Sequence, residues 1–231
     1  VAASSAVPVA FYPVTLQNFD TCDVSRLALM QIERPSGDRD PRVSRELEWR
    51  NSYVDKQKRP YIHLVDGGIS DNLGIRTMTT RVLAAGGIIG ATGMLGNVPK
   101  NIAFIIVNAE TDPANPMDRD PRPPSNRAVL GAVTNAQIAR YNIESRALME
   151  NSVADWIDEF ASQNHQVNIF LIYLDFDDIA DTDRRRYYHG MATSFALPSE
   201  EVDSLIAAGR ELLRDSPEFR RFVETLAQQE Y

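Results

Sequence analysis

The stretch HLVDGGISDNLG, residues 63 to 74, decides how the rest of the chain is read. An apolar run, Tyr61 to Val65, ends on a carboxylate, Asp66, and two glycines, Gly67 and Gly68, follow at once. A short apolar run bounded by turn residues reads as a buried strand. In open α/β sheets functional groups collect at the carboxyl ends of the strands, which is where Asp66 falls. The glycines allow positive φ and leave open space beside the carboxylate. Read locally, the same Asp-Gly pair is also one of the commonest turn signals. Asp66 is therefore either a turn former or a carboxylate aimed at a second group.

Outward from this stretch the pattern alternates. Leu73 to Ala85 has helical composition and stops at Gly86-Gly87, a C-terminal breaker. Ile102 to Ala109 is a β-branched run of the kind found in strands covered on both faces. The loop from Thr111 to Ser125 carries five prolines and excludes helix and central strand. A long helix is expected over Asn126 to Ser162, with Met149, Val153, Trp156, Ile157 and Phe160 on one face. Val167 to Asp175 predicts a further strand, and two amphipathic helices follow. Ser199 is read as the cap of the first, striped by Val202, Leu205, Ile206, Leu212 and Leu213; Ser216-Pro217 opens the second, with Phe219, Phe222, Val223 and Leu226. The first 60 residues are less regular, with strands expected at Val14 to Phe19 and Leu27 to Ile32 and a surface loop from Glu33 to Arg45. Strands alternating with helices imply parallel pairing in an α/β layered domain, and nothing between residues 1 and 231 marks an internal boundary.

Composition narrows the function classes. A net charge of −8 lacks the clustered cations that phosphate binding needs, so nucleic acid is not an expected partner. The one dense basic run, Arg184 to Arg186, sits beside Asp181 and Asp183 and reads as a solvated charge run. Cys22 is the only cysteine, which excludes an internal disulfide and a multi-cysteine metal site. The start, VAASSAVPVAFYPV, has no basic n-region and is interrupted by Pro8 and Pro13, so it does not read as a signal peptide, and no run reaches the ~18 apolar residues of a membrane span. Its alanine, valine and phenylalanine read as the inside of a domain, and further polypeptide is expected upstream of Val1. The compartment and the oligomeric state are not legible.

The remaining motifs carry little chemistry. His63 points away from the face shared by Ile62, Leu64 and Asp66 and reads as a packed or hydrogen-bonded strand residue. His165 and His189 are scattered, with no metal-ligand spacing. Asp71 and Asn72 fail the EF-hand pattern, and one or the other reads as a helix cap. DFDDIADTD, from Asp175 to Asp183, reads as a solvated strand exit and helix start. The glycines at 87, 90, 93 and 96 match no phosphate-binding loop and suggest a mobile loop bordering an entrance. No cofactor and no metal is expected.

With its neighbours included, HLVDGGISDNLG resembles the Asp-Gly-Gly/Ala block of the patatin-like phospholipases. AASSAVPVAFYPV resembles the helix and loop that follow the nucleophile elbow of that family. The resemblance implies a three-layer α/β fold with a mainly parallel central sheet, of which this chain is the C-terminal part. It also implies a Ser-Asp dyad without histidine, in which Asp66 aligns with the aspartate that deprotonates the serine and Gly67 and Gly68 form the active-site turn. An ordinary aspartate, with pKa ~3.9, is a feeble base near neutral pH, so the role demands a specialised setting. The implied substrate is a phospholipid or other lipid ester, met through peripheral membrane contact. The family's Gly-x-Ser-x-Gly elbow and glycine-rich oxyanion loop are not in this sequence, which by itself is expected to be inactive; both are expected upstream of Val1. Gly68-Ile69-Ser70 is the nearest local match and makes Ser70 the weaker alternative nucleophile. The competing expectation is a non-catalytic lipid- or protein-binding module of the same fold.

Overall fold

A computed structural model describes residues 12–19, 40–94, 96–111, 120–192, 194 and 196–228. The expected strand at Leu27 to Ile32, Cys22 and the opening segment through Phe11 lie outside the described residues. In chain order the first elements are β1 (Val14–Gln17), α1 (Pro41–Ser52), β2 (Tyr61–Leu64), α2 (Gly68–Asp71), α3 (Ile75–Ala84) and α4 (Ile88–Gly93). They are followed by β3 (Asn101–Asn108), α5 (Asn126–Ser162), β4 (Asn168–Asp175), α6 (Thr182–His189), α7 (Ser199–Asp215) and α8 (Pro217–Ala227). The architecture is mixed helix and sheet. Contacts group it into two compact units, Val1–Val98 with Val129–His165, and Pro99–Ala128 with Gln166–Tyr231.

In the first unit β1 and β2 pair antiparallel, Val14 opposite Leu64 and Gln17 opposite Tyr61. The expected buried, parallel strand at Tyr61 to Val65 is thus corrected: β2 ends at Leu64, and Tyr61 and Leu64 are exposed. Asn18 clamps the entry to β2, its Nδ2 donating to the carbonyls of Tyr53 at 2.8 Å and Arg59 at 2.9 Å. The expected loop up to Arg45 is helical from Pro41 onward. Asp40 accepts from Arg42 N at 2.8 Å as the N-cap, and Pro41 occupies the first turn, where its missing N–H costs nothing.

Gly86 and Gly87 end α3 with φ of 93° and 110°, as their breaker reading requires. The glycine-rich stretch beyond them is not the expected loop but α4, whose first free amides, Ile88 N and Ile89 N, donate to the Glu159 carboxylate at 3.0 and 3.1 Å. Glu159 lies on α5, which has the bounds its periodicity predicts. Met149, Val153, Trp156 and Phe160 are buried along it; Ile157, assigned to the same face, is instead 45% exposed.

In the second unit β3 and β4 pair in parallel, in register from Asn101 opposite Asn168 to Asn108 opposite Asp175. The sheet expectation is therefore met in this pair only, since the described strands form two two-stranded sheets rather than one mainly parallel sheet. Phe170, Ile172 and Leu174, alternate residues on one face of β4, pack against Leu212 and Leu213 of α7 and Phe219 and Phe222 of α8. Their register partners on β3 include Ile105 and Val107, which remain 49% and 62% exposed. β3 is thus not covered on both faces among the described residues. Ser216 caps α8 as expected, accepting from Phe219 N at 3.3 Å. Ser199 does not cap α7: it is the first helical residue, after Pro198, which offers no side-chain bond. The arginine run is neutralised within this unit. Arg184 grips Glu211 through two bonds of 2.9 and 2.7 Å, Arg186 meets Asp183, and Arg185 donates to the Asp177 carbonyl.

Candidate functional site at the Asp-Gly-Gly turn

The site begins with backbone. Leaving β2, the chain reaches a half-buried Asp66 and turns at once into α2, a single helical turn. Gly68 N donates to Asp66 Oδ1 at 2.6 Å, which folds the carboxylate back over the turn in the manner of an Asx turn. Among the described residues no hydrogen bond reaches the second oxygen, Oδ2. One oxygen is thus spent on orientation while the other is left to accept.

The two glycines serve space rather than backbone freedom. Gly67 has φ −68°, and neither glycine is among the positive-φ residues, so the turn does not use the left-handed freedom that glycine allows. At Gly68 a Cβ would stand 2.9 Å from Asp66 Oδ1, 3.1 Å from Asn72 Oδ1 and 3.6 Å from Ile138 Cδ1. Nothing lies within 4 Å of a Cβ at Gly67. One glycine therefore permits close approach of three groups to the backbone, and the other borders open space.

Ser70 sits on α2, exposed, with its backbone N bonded to the Gly67 carbonyl at 3.1 Å. No hydrogen bond joins it to Asp66, and it occupies no strand-to-helix elbow. His63 Nδ1 lies 2.9 Å from Thr15 Oγ1 across the β1–β2 pair, which is the hydrogen-bonded strand role expected of it. Asp71 caps α3, accepting from Arg76 N at 2.9 Å and Thr77 N at 2.8 Å.

Sequence reasoning missed the groups that hold this turn in place, all on α5. Gln137 Nε2 donates to the Ile69 carbonyl at 3.0 Å, and Asn72 Nδ2 donates to Asn142 Oδ1 at 3.2 Å. Arg76 donates to Ser145 Oγ at 3.2 Å and to Glu144 at 3.1 Å, with its guanidinium 4.7 Å from the centre of the Tyr141 ring. Asn142 and Ser145 are buried polar residues, and Ile138, Asn142 and Ser145 continue the stripe of Met149, Val153, Trp156 and Phe160 toward the N-terminus of α5 at spacings of three and four. Polar residues inside an apolar stripe are the signal that could have identified them.

No protein-family model matches this chain, and neither does any curated protein or solved structure with which it was compared.

A second polar cluster lies in the other unit, at the carboxyl ends of β3 and β4. Asn108 Nδ2 donates to Asp175 Oδ2 at 2.9 Å, and Asp175 Oδ1 accepts from Asp177 N at 3.0 Å. His189, unassigned by its sequence context, places Nε2 3.0 Å from Asp177 Oδ1 and Nδ1 3.1 Å from the Glu110 carbonyl, with its edge on Phe176. These contacts tie both strand ends to α6. Asp181 caps that helix by accepting from Asp183 N and Arg184 N, and those amide bonds hold its carboxyl below the usual range. DFDDIADTD is thus the strand exit and helix start that its sequence suggests. Among the described residues no group of three or more His, Cys, Asp or Glu is placed to hold a metal ion.

Proposed function

We propose that Asp66 is the base of a Ser-Asp dyad in a lipid acyl hydrolase of patatin-like type, with the serine supplied by sequence upstream of Val1. One observation carries the reading: a half-buried strand-end carboxylate has one oxygen fixed by Gly68 N and the other unengaged among the described residues, beside the open space at Gly67. That is what a base needs to meet a hydroxyl. The twelve-residue resemblance supports the reaction class, and the three-layer fold with a larger, mainly parallel sheet belongs to the same proposal.

In the proposed reaction the serine Oγ attacks the acyl carbonyl of a lipid ester as Asp66 takes its proton. The tetrahedral intermediate collapses, the ester C–O bond breaks, and the departing alkoxide recovers the proton from Asp66. Water, deprotonated by Asp66 in turn, then attacks the acyl-enzyme and releases the fatty acid and the free serine. An upstream glycine-rich loop would hold the oxyanion. The lipid surface would be met peripherally. Among the described residues no helix is long and apolar enough to cross a membrane.

The test is ester hydrolysis by protein that includes the upstream sequence, on a short-chain nitrophenyl ester and on phospholipid vesicles. Asp66→Asn is expected to lower kcat/KM by about 10²- to 10⁴-fold, the usual contribution of a positioned general base. Hydrolysis that survives Asp66→Asn would remove Asp66 as the base, whereas a wild-type protein that binds lipid without cleaving it would establish the non-catalytic module.

A further inference from the structure

The first unit holds a groove apart from the Asp66 carboxylate. It is enclosed by α1, α3 and the short α4, and its volume is about 410 Å³, within the ~300–1,000 Å³ usual for small-molecule sites. Its walls are mostly apolar, with Leu47, Met78, Val82, Ala91 and Met94 among them. Three charged side chains also line it, Glu46, Arg50 and Arg81. Glu46 and Arg50 pair with each other at 2.8 Å. Arg81, exposed in the last turn of α3, has no partner among the described residues.

An apolar trough with one uncommitted cation at its wall is complementary to a particular kind of molecule. A neutral hydrocarbon would leave Arg81 unanswered, and a cationic amphiphile would meet repulsion from two arginines against one glutamate. In a chain of net charge −8 this local positive excess runs against the general field. Met78 and Met94 supply flexible, polarisable surface that can follow a chain of variable conformation. Met94, at 63% exposure, leaves its thioether accessible at the wall of the groove.

We infer that this groove binds a single-chain amphiphile with one anionic head, of the class of a medium-chain monocarboxylate, with its tail along Leu47, Met78 and Ala91 and its carboxylate at Arg81. The site uses none of the residues assigned to the dyad and stands whether or not Asp66 is catalytic. Inside a hydrolase of the proposed kind it would retain a released acid or sense its accumulation.

Calorimetric titration of the protein with sodium dodecanoate, below its micelle concentration, tests this. Saturable one-site binding is expected. Arg81→Gln is expected to weaken it about two- to fivefold, in keeping with an exposed ion pair. Glu46→Gln, which removes the lining carboxylate and frees Arg50, is expected to tighten it by about twofold. Ala91→Phe, which fills the trough, is expected to abolish binding, with circular dichroism confirming that the helices persist. Should Ala91→Phe unfold the protein, the opposite shifts of the other two variants decide. Three results would overturn the inference: no saturable binding, dodecanol or dodecylammonium binding as tightly as dodecanoate, or dodecanoate binding indifferent to all three substitutions. A groove that ignores dodecanoate but takes up an amphipathic helical peptide would belong to a protein partner and would equally overturn it.

Discussion

Asp66 is defined by what its neighbours lack. At Gly68 a methyl group would press on Asp66 Oδ1 and on Asn72 Oδ1, and Ile138 closes the third side, so the turn cannot yield without moving the carboxylate. Gly68→Ala is therefore expected to destabilise by about 1–3 kcal/mol through overpacking, measured by urea denaturation. Gly67→Ala, at helical φ and in open space, is expected to stay within about 0.5 kcal/mol of wild type. Equal losses at the two positions would mean that the glycines serve backbone freedom after all. The carboxylate was legible because a strand end followed by Gly-Gly is a local pattern. Its supports were not, because Asn142 meets Asn72 across 70 residues, and a polar residue on a long helix reads as surface until the helix is packed.

Elements were legible where one period ran unbroken. The stripe on α5 identified the helix and the proline-rich loop before Asn126 set its start, whereas α1 was hidden because Pro41 looks like a breaker when it is the first-turn proline of a capped helix. The short α4 was hidden for a different reason: its stop and start signals are glycines, and its N-terminal partner, Glu159, comes from about 70 residues downstream. Glu159→Ala leaves Ile88 N and Ile89 N without their carboxylate and is expected to cost about 1.5–3 kcal/mol, read by urea denaturation, with amide exchange accelerated first in residues 88–93. The cap of α6 carries a pH dependence whose sign follows from Asp181. Its folded carboxyl is held below the ordinary value by the Arg184 and Asp183 amides, so it stabilises the helix above the unfolded pKa of ~3.9. That contribution disappears as pH falls through the lower, folded value. Amide exchange of Arg184 at falling pH, corrected for intrinsic rates, is expected to lose protection in that window in wild type and to be flat in Asp181→Ala.

At the scale of the molecule, β-branched runs identified the two parallel strands but not what lies against them. Hydrophobic sequence marks a strand; it does not say which face finds a neighbour. β4 is covered by α7 and α8, while the same face continues onto β3 with Ile105 and Val107 open to solvent among the described residues. Ile172→Ala, at a fully buried position, is expected to cost about 2–5 kcal/mol, and Val107→Ala under about 1 kcal/mol, in urea denaturation. A large loss at Val107 would reveal that this face is covered in the folded protein. Among the described residues the strands form two small sheets, one parallel and one antiparallel, because β2 pairs with β1 rather than with its successor. The role proposed for Asp66 nevertheless rests on its own turn.

That role is tested most directly by reaction with a fluorophosphonate, followed by mass spectrometry, on protein that includes the sequence upstream of Val1. One labelled serine is expected, upstream of Val1, with labelling slowed about 100-fold or more by Asp66→Asn, as loss of a general base entails. Label on Ser70, or label at an upstream serine that forms as fast in Asp66→Asn as in wild type, would contradict it.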